Sequence, residues 1–412
     1  MMVNDSTHKR LLIYSHDSFG LGHLRRCRTI AHSLVDNRPD LSVLILSGSP
    51  IIGSFDFRSR VDFVRIPGVV KLRNGSYTTL GLDIGIEDAM NIRETIIRNT
   101  AEVFNPNIFL VDKEPLGLRG EASNTMNMLK ARGTRLVLGL RDVMDDPGKL
   151  TEEWERKMAV PALRDLYDDI WVYGIPEVCN PLEGVNVPKS VVKKVSYTGY
   201  LRRTSLPTFN PTVTDHFDFH DPYILVTPGG GGDGAGLVDW VLRAYEHDPG
   251  IKHDAFIVFG PFMHMDLQTE FRQRVDRLDK VHAITFDANL EHLLSRASGV
   301  IAMGGYNTFC EILSFDKPSL IVPRTVPRLE QYIRASRAEK LGLVSMIVDD
   351  ENRDPHKMAA AIRELPNRPR PSEIHLPGLL DGLSTINTVI DRWLSDGQAP
   401  RTPPLRVVPG EG

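Results

Sequence analysis

The residues whose types and spacing suit chemistry stand early, in Ser15-His16-Asp17-Ser18-Phe19-Gly20-Leu21-Gly22-His23-Leu24-Arg25-Arg26. Gly20 and Gly22 permit a sharp turn and a close approach of backbone to ligand. A helical pattern follows at Ile30 and Leu34, and the unpaired N–H groups and positive dipole end of a helix N-terminus attract anions. His23 closes the turn, and imidazole is the side chain best suited to take a proton near neutral pH. A base beside an anion site suggests group transfer. A Gly-x-Gly turn with a capping histidine is also common in α/β proteins without catalysis, so the rest of the chain must decide.

A second constellation is Ala302-Met303-Gly304-Gly305-Tyr306-Asn307-Thr308-Phe309-Cys310-Glu311. Gly304 and Gly305 end an apolar run and a helix starts at once, so free N–H groups and the Thr308 hydroxyl suit a diphosphate. Glu311 lies one turn beyond Thr308 on the same face. Helical side chains lean toward the N-terminus, which puts its carboxylate within reach of a sugar diol at the mouth of that site. A third glycine loop, Gly229 to Gly232, follows the apolar run Tyr223 to Pro228.

The elements that must position these groups are legible as apolar runs. Leu11 to Tyr14, Leu41 to Gly48, Asp62 to Ile66, Ile108 to Asp112, Leu136 to Leu140 and Ile170 to Tyr173 read as strands, with helical stretches between most of them. Such alternation predicts an α/β fold with an open, doubly wound parallel sheet, in which ligand groups gather at the carboxyl ends of strands. Asp112, beside Lys113 and Glu114, and Arg141, beside Asp142, are the candidates there. Asp142, Asp145 and Asp146 before Pro147 read as helix caps and solvated charges. Residues 70–81 lack periodicity and read as a long loop, placed as an acceptor-recognition segment.

The pattern breaks in the proline-bearing, aperiodic stretch 204–221, a linker, and resumes as a second α/β unit. Its strands are read at Tyr223 to Pro228, Ala255 to Phe259, His282 to Phe286, Gly299 to Met303, Ser319 to Val322 and Val344 to Val348, with a last helix near Leu379 to Leu394. The expected division is therefore an N-terminal Rossmann-like domain at 1–203, the linker, a C-terminal Rossmann-like domain at 222–396 and a disordered tail at 397–412.

Composition narrows the function. The 412 residues carry a formal net charge of −4 with no basic tract, which disfavours nucleic acid as a partner. The polar first residues and the lack of a long apolar run predict a cytoplasmic protein. Cys27, Cys179 and Cys310 suit reduced thiols rather than a zinc site. A dinucleotide site wants an acidic residue ending the next strand, whereas these strands end in Leu46-Ser47-Gly48 and Phe259-Gly260-Pro261. A P-loop wants Gly-Lys-Ser/Thr, which neither loop has. No cofactor is called for, and no metal, the His and Asp residues between Asp215 and Asp221 reading as turn formers.

Gly20-Leu21-Gly22-His23, the Gly229 to Gly232 loop, Gly304-Gly305-x-x-Thr308-x-x-Glu311, and Pro323 followed by Glu330-Gln331-Tyr332-Ile333-Arg334-Ala335 together resemble the GT-B glycosyltransferases. The likeness is strongest to the family 28 group that contains the lipid II-forming N-acetylglucosaminyltransferase. The resemblance implies two Rossmann-like domains facing across a cleft, the first taking the acceptor and the second a nucleoside-diphosphate sugar, with UDP expected. It further implies Gly22, Gly230, Gly231, Gly304, Gly305 and Thr308 around the diphosphate, Glu311 on the ribose and Phe286 near the base. Glu330 and Gln331 would face the sugar hydroxyls. The family usually has glutamine and asparagine where this chain has Glu330 and Arg334, which sets Arg334 beside Asp112 and Arg141 as a cleft residue whose role is open. The expected activity is inverting, metal-independent hexosyl transfer with His23 as general base. The acceptor is a glycan, a lipid-linked compound or a small molecule, and a lipid-linked one would bring peripheral contact with the inner membrane face. The first loop also resembles that of a nucleotide-sugar hydrolase of pseudaminic acid synthesis, so hydrolysis with water as acceptor is the alternative.

Overall fold

The computed structural model describes residues 8–16, 22–72, 76–204, 222–287 and 290–395. Contacts divide the chain into two units, one running to Leu201 and resuming at Gly378, the other spanning Arg202–Pro377. In the first unit the strands are Lys9–Ser15 (β1), Leu41–Ser47 (β2), Val61–Arg65 (β3), Val69–Lys71 (β4), Tyr77–Thr79 (β5), Ile108–Asp112 (β6), Arg135–Arg141 (β7), Asp169–Tyr173 (β8) and Val195–Tyr197 (β9). Seven of them form one sheet in the order β3-β2-β1-β6-β7-β8-β9, with every neighbouring pair parallel. Helices cover both faces, so β6 and β8 are buried along their whole length, which is why they read as unbroken apolar runs.

The order reverses between β1 and β6, which pair directly with Tyr14 opposite Val111. A doubly wound sheet opens a crevice at such a switch point, between loops that leave adjacent strands in opposite directions. The chain leaves β1 toward the helix Gly22–Asn37 and ends β6 at Asp112. Those are the two places where chemistry was expected.

The second unit repeats the plan with Ile224–Thr227 (β10), Ala255–Val258 (β11), Val281–Ile284 (β12), Gly299–Ala302 (β13), Ser319–Ile321 (β14) and Ser345–Met346 (β15). Their order is β12-β11-β10-β13-β14-β15, again parallel throughout. Its switch point lies between β10 and β13, the strands that precede the two glycine elements Gly229 to Gly232 and Gly304-Gly305.

Two expectations need correction. Residues 70–81 are not a structureless loop, since β4 and β5 pair as an antiparallel hairpin with Val70 opposite Thr78. Three-residue strands are too short to show alternation. The last helix, Gly382–Ser395, belongs to the first unit rather than to the second. The Trp393 ring stacks on Trp171 of β8 at 5.7 Å between centroids, the Arg135 guanidinium lies 3.8 Å over the Trp393 ring, and Asn387 donates to the Ser33 hydroxyl at 2.8 Å. Packing partners more than 200 residues apart leave no trace in local periodicity. Trp393→Ala removes that stack, and thermal or denaturant unfolding is expected to show a loss of about 3 kcal/mol. The linker 205–221, the loop 17–21 with Gly20, and the tail beyond Ser395 lie outside the described residues.

Candidate active site

At the first switch point His23 and Arg26 occupy the opening turn of the helix Gly22–Asn37, three residues apart and therefore on one face. Both reach Asp112, the last residue of β6. Arg26 grips the carboxylate with two parallel bonds, Nε to Oδ1 at 2.8 Å and Nη2 to Oδ2 at 2.7 Å. His23 Nδ1 makes a short hydrogen bond to Oδ2 of the same carboxylate. Asp112 and Arg26 are each 1% exposed, while the His23 side chain keeps 19% of its surface.

The electrostatics follow from that burial. Burial alone would push the Asp112 carboxyl up, but the Arg26 charge and His23 outweigh it and hold the group well below the usual carboxylate range. Burial lowers the pKa of His23 below 6.5; Asp112 opposes that shift, and the nearby cations Arg26 and Lys113 add to it. The imidazole is therefore neutral at physiological pH. With Nδ1–H donating to Asp112, Nε2 is the free acceptor. A carboxylate that fixes the tautomer and would stabilise the imidazolium formed on proton uptake is the orienting half of a His–Asp base. His16 packs its ring edge-on against His23 at 5.6 Å between centroids.

In the second unit a glycine in each of the two loops is held by close contact with a neighbouring strand or the loop after it. Gly231 has φ +87°, and a Cβ there would lie 2.3 Å from the Phe259 carbonyl oxygen. Gly304 has φ +75°, and a Cβ would lie 2.7 Å from the Ile321 side chain. Neither position accepts another residue without strain. Gly305 caps the helix Tyr306–Ser314 with no side-chain hydrogen bond, and a Cβ on it would meet nothing within 4 Å. The Thr308 hydroxyl stands 4.0 Å from the Cβ position of Gly229. The two glycine elements thus converge on the first N–H groups of that helix, a ready anion cradle.

Several expected residues sit differently from their sequence reading. Arg334 is 1% exposed and donates from Nη1 to the Gly304 carbonyl at 2.9 Å, so it braces the glycine turn from within rather than standing open in a cleft. Glu311 is fully buried in the second turn of the helix Tyr306–Ser314. Glu330 and Gln331 are engaged by Arg324: Nη2 donates to Glu330 at 3.0 Å and the Arg324 backbone N–H to Gln331 Oε1 at 3.0 Å. That arrangement leaves the Gln331 amide nitrogen as a donor. Phe286 is 41% exposed just beyond β12. Arg141 ends β7, beside Tyr173 of β8. Asp146 does cap a helix, accepting from Gly148 N at 3.1 Å. Asp142 instead is buried and accepts from the Tyr200 hydroxyl at 2.8 Å.

Sequence reasoning missed four contributors. Arg26 was detectable, being one helical turn from His23. Arg324, which also bonds Asp233 of the glycine loop at 2.5 Å, had no local signal. Nor did the buried triad in which Tyr14 and Arg93 both donate to Glu121, at 2.6 Å from the hydroxyl and 2.6 Å from Nε. The fourth is Lys157, which donates to Glu114 at 2.7 Å. Among the described residues no cluster of three or more His, Cys, Asp or Glu is arranged to hold a metal ion. All three cysteines are buried, and none is in a disulfide.

Comparison with known proteins sets this geometry in a class. Residues 224–373 match the profile of the glycosyltransferase family 28 C-terminal domain. Among solved structures, the glycotransferase of kitacinnamycin superposes with a TM-score of 0.60 at 14% identity, over 94% of this chain and 99% of that one. A UDP-GlcNAc 2-epimerase from Neisseria meningitidis, bound to UDP-GlcNAc, gives 0.59 at 13% identity, over 94% and 99%. MurG of Acinetobacter baumannii gives 0.51 at 10%, over 92% and 95%. No curated protein matches the chain. These likenesses define the GT-B fold. Within that fold, the similarity to glycosyltransferase family 28 lies in residues 224–373, which match its C-terminal domain.

Proposed function

We propose that this protein is an inverting hexosyltransferase that moves a sugar from a nucleoside-diphosphate donor, with UDP as the expected nucleotide, to an acceptor hydroxyl. The observation that carries the reading is the His23–Asp112–Arg26 cluster at the switch point of a unit whose partner unit carries a family 28 donor domain. The neighbours whose names include sugar transferases and UDP-bound enzymes support it.

In this reading the second unit holds the donor, with Gly230, Gly231, Gly304, Gly305 and Thr308 around the diphosphate and the helix Tyr306–Ser314 aimed at its charge. Glu330 and Gln331 contact the sugar, and Phe286 covers the base. His23 Nε2 takes the acceptor proton as oxygen attacks the anomeric carbon from the face opposite the leaving diphosphate, which inverts that carbon. Backbone N–H groups stabilise the diphosphate as it departs, a role that needs no metal ion. Three buried cysteines outside any disulfide suit a cytoplasmic setting.

Calorimetric titration with UDP, UDP-glucose and UDP-N-acetylglucosamine tests the donor class, with and without magnesium. Binding of UDP is expected; failure of all three overturns the reading. A hydrolase would release free sugar at its full rate without any acceptor, and that result would replace transfer by hydrolysis. Glu311 is assigned to the ribose. Glu311→Ala is therefore expected to weaken UDP by about tenfold or more, and unchanged affinity would mark the buried carboxylate as packing alone.

A further inference from the structure

A cavity of about 520 Å³ opens in the first unit, and nothing in the chemistry above uses it. Its walls include His16, Tyr77, Glu114, Arg119, Arg156 and Lys157. It adjoins the proposed base, because His16 lines it and touches the His23 ring edge-on at 5.6 Å. The His16 side chain is a buried polar group, 7% exposed, and no described residue forms a hydrogen bond with its ring nitrogens. Burial keeps that ring neutral, its pKa well below 6.5.

The charges around the cavity are unequal. Glu114 is tied to Lys157 at 2.7 Å and Lys157 to Glu153 at 2.5 Å, so those three groups satisfy one another. Burial would raise the Glu114 carboxyl, but the Lys113 and Lys157 charges outweigh it and hold it ionised. Among the described residues Arg156, which is exposed, has no ion pair or side-chain hydrogen bond. Arg119 pairs, among the described residues, with the exposed Glu87 at 2.8 Å. The backbone on this rim is held unusually: Lys113, Arg119 and Met158 all have positive φ, at 71°, 51° and 52°. Few non-glycine residues adopt that region, and those that do cluster at functional sites.

We infer that this cavity is the acceptor pocket and that it takes a small hydroxyl compound carrying an oxyanion, a carboxylate or a phosphate, with Arg156 and Arg119 on the anion and a His16 ring nitrogen on a hydroxyl. The acceptor role rests on the transferase reading; the ligand chemistry does not. Small-ligand pockets run from roughly 300 to 1,000 Å³, so this one suits a monosaccharide-sized molecule rather than a polymer. The apolar wall of Pro115, Leu116, Leu118 and Ala159 gives a ring face something to pack on. Two cations with little else to pair with reward a charged end that a neutral sugar lacks.

The test is calorimetric titration of the full chain with glucose 6-phosphate, glucuronate and glucose, and separately with UDP. At least one of the two anions is expected to bind roughly tenfold tighter than glucose, and which of them does so separates phosphate from carboxylate. Arg156→Gln, at an exposed position that does not threaten folding, is expected to bring the ratio close to one. His16→Phe keeps the ring against His23 but removes its nitrogens, and is expected to weaken the preferred anion by roughly threefold or more, with UDP affinity unchanged. Absence of binding by both anions, equal affinity for all three sugars, or an Arg156→Gln variant that keeps the preference would each overturn the assignment. If UDP fails to bind while the anion preference and its loss in Arg156→Gln are observed, the pocket stands and the donor reading falls.

Discussion

His23→Ala is expected to lower turnover by at least about a hundredfold while leaving the affinity for UDP within about twofold of wild type. Proton transfer by a positioned side chain is worth typically 10²–10⁴ in rate, and no other described group near Asp112 can replace the imidazole. Arg26 and Lys113 are charged donors with no lone pair to offer, and burial, which pushes the His16 pKa well below its ordinary value, makes that ring a poor base. The substitution spares the fold: the paired bonds of Arg26 to Asp112, at 2.8 and 2.7 Å, do not pass through His23, which sits at the partly exposed end of its helix. UDP is assigned to the other unit, so its binding provides an internal control for structure. Steady-state turnover with saturating donor, together with a UDP titration of the same preparation, checks both halves. Wild-type turnover would remove His23 as the base. Lost turnover together with lost UDP binding would show a structural role.

Much of this architecture was legible because both sheets are parallel and covered on both faces, so their strands are continuous apolar runs that no helix of that length would produce. The switch points were legible for a related reason. Glycine-bearing turns follow the first strand of each unit, and Asp112 ends a strand that is buried throughout. What escaped was carried by contacts between distant residues. Tyr14 and Glu121 are separated by 107 positions and Arg38 and Asp391 by 353, and neither pair has a local pattern. Arg334 and Asp142 show the converse error. Arg334, in the stretch after Pro323, and Asp142, just past an apolar run, were taken to face ligand or solvent, whereas a buried carbonyl and a tyrosine hydroxyl claimed them. Sequence identifies the chemical type of such a group but not which of its neighbours satisfies it. The same applies to Glu311, whose place one turn after Thr308 was read correctly from helical geometry while its burial was not.

Asp112→Asn isolates the orienting half of the cluster and is expected to cut turnover by about three orders of magnitude with the pocket shape preserved. An amide that keeps its oxygen on Arg26 Nε turns its NH₂ toward both Arg26 Nη2 and His23 Nδ1, which share one oxygen in the wild type. Nδ1 must then accept, the ring proton moves to Nε2, and the nitrogen facing the acceptor can no longer take a proton; inverting the tautomer by the same substitution in a serine protease triad costs about 10⁴. The pH dependence separates this from a general loss of structure. In the wild type kcat/KM rises as His23 loses its proton and levels off below pH 6.5, because burial depresses the imidazole pKa. Asp112 is the charge that opposes that depression, so its removal moves the acid limb to still lower pH while lowering the plateau. Stability carries a matching signature. Asp112 is held well below its ordinary value of 3.8, so its ion pair contributes fully above the unfolded pKa and is lost only as pH falls through the depressed one. The variant, which leaves buried Arg26 facing a neutral group, is expected to be less stable by about 3 kcal/mol at neutral pH, with the gap closing on strong acidification. Urea unfolding at pH 7 and at pH 3, set beside the pH profile of kcat/KM, measures both. An unchanged plateau in kcat/KM would show that Asp112 merely anchors the helix and that His23 needs no orienting partner.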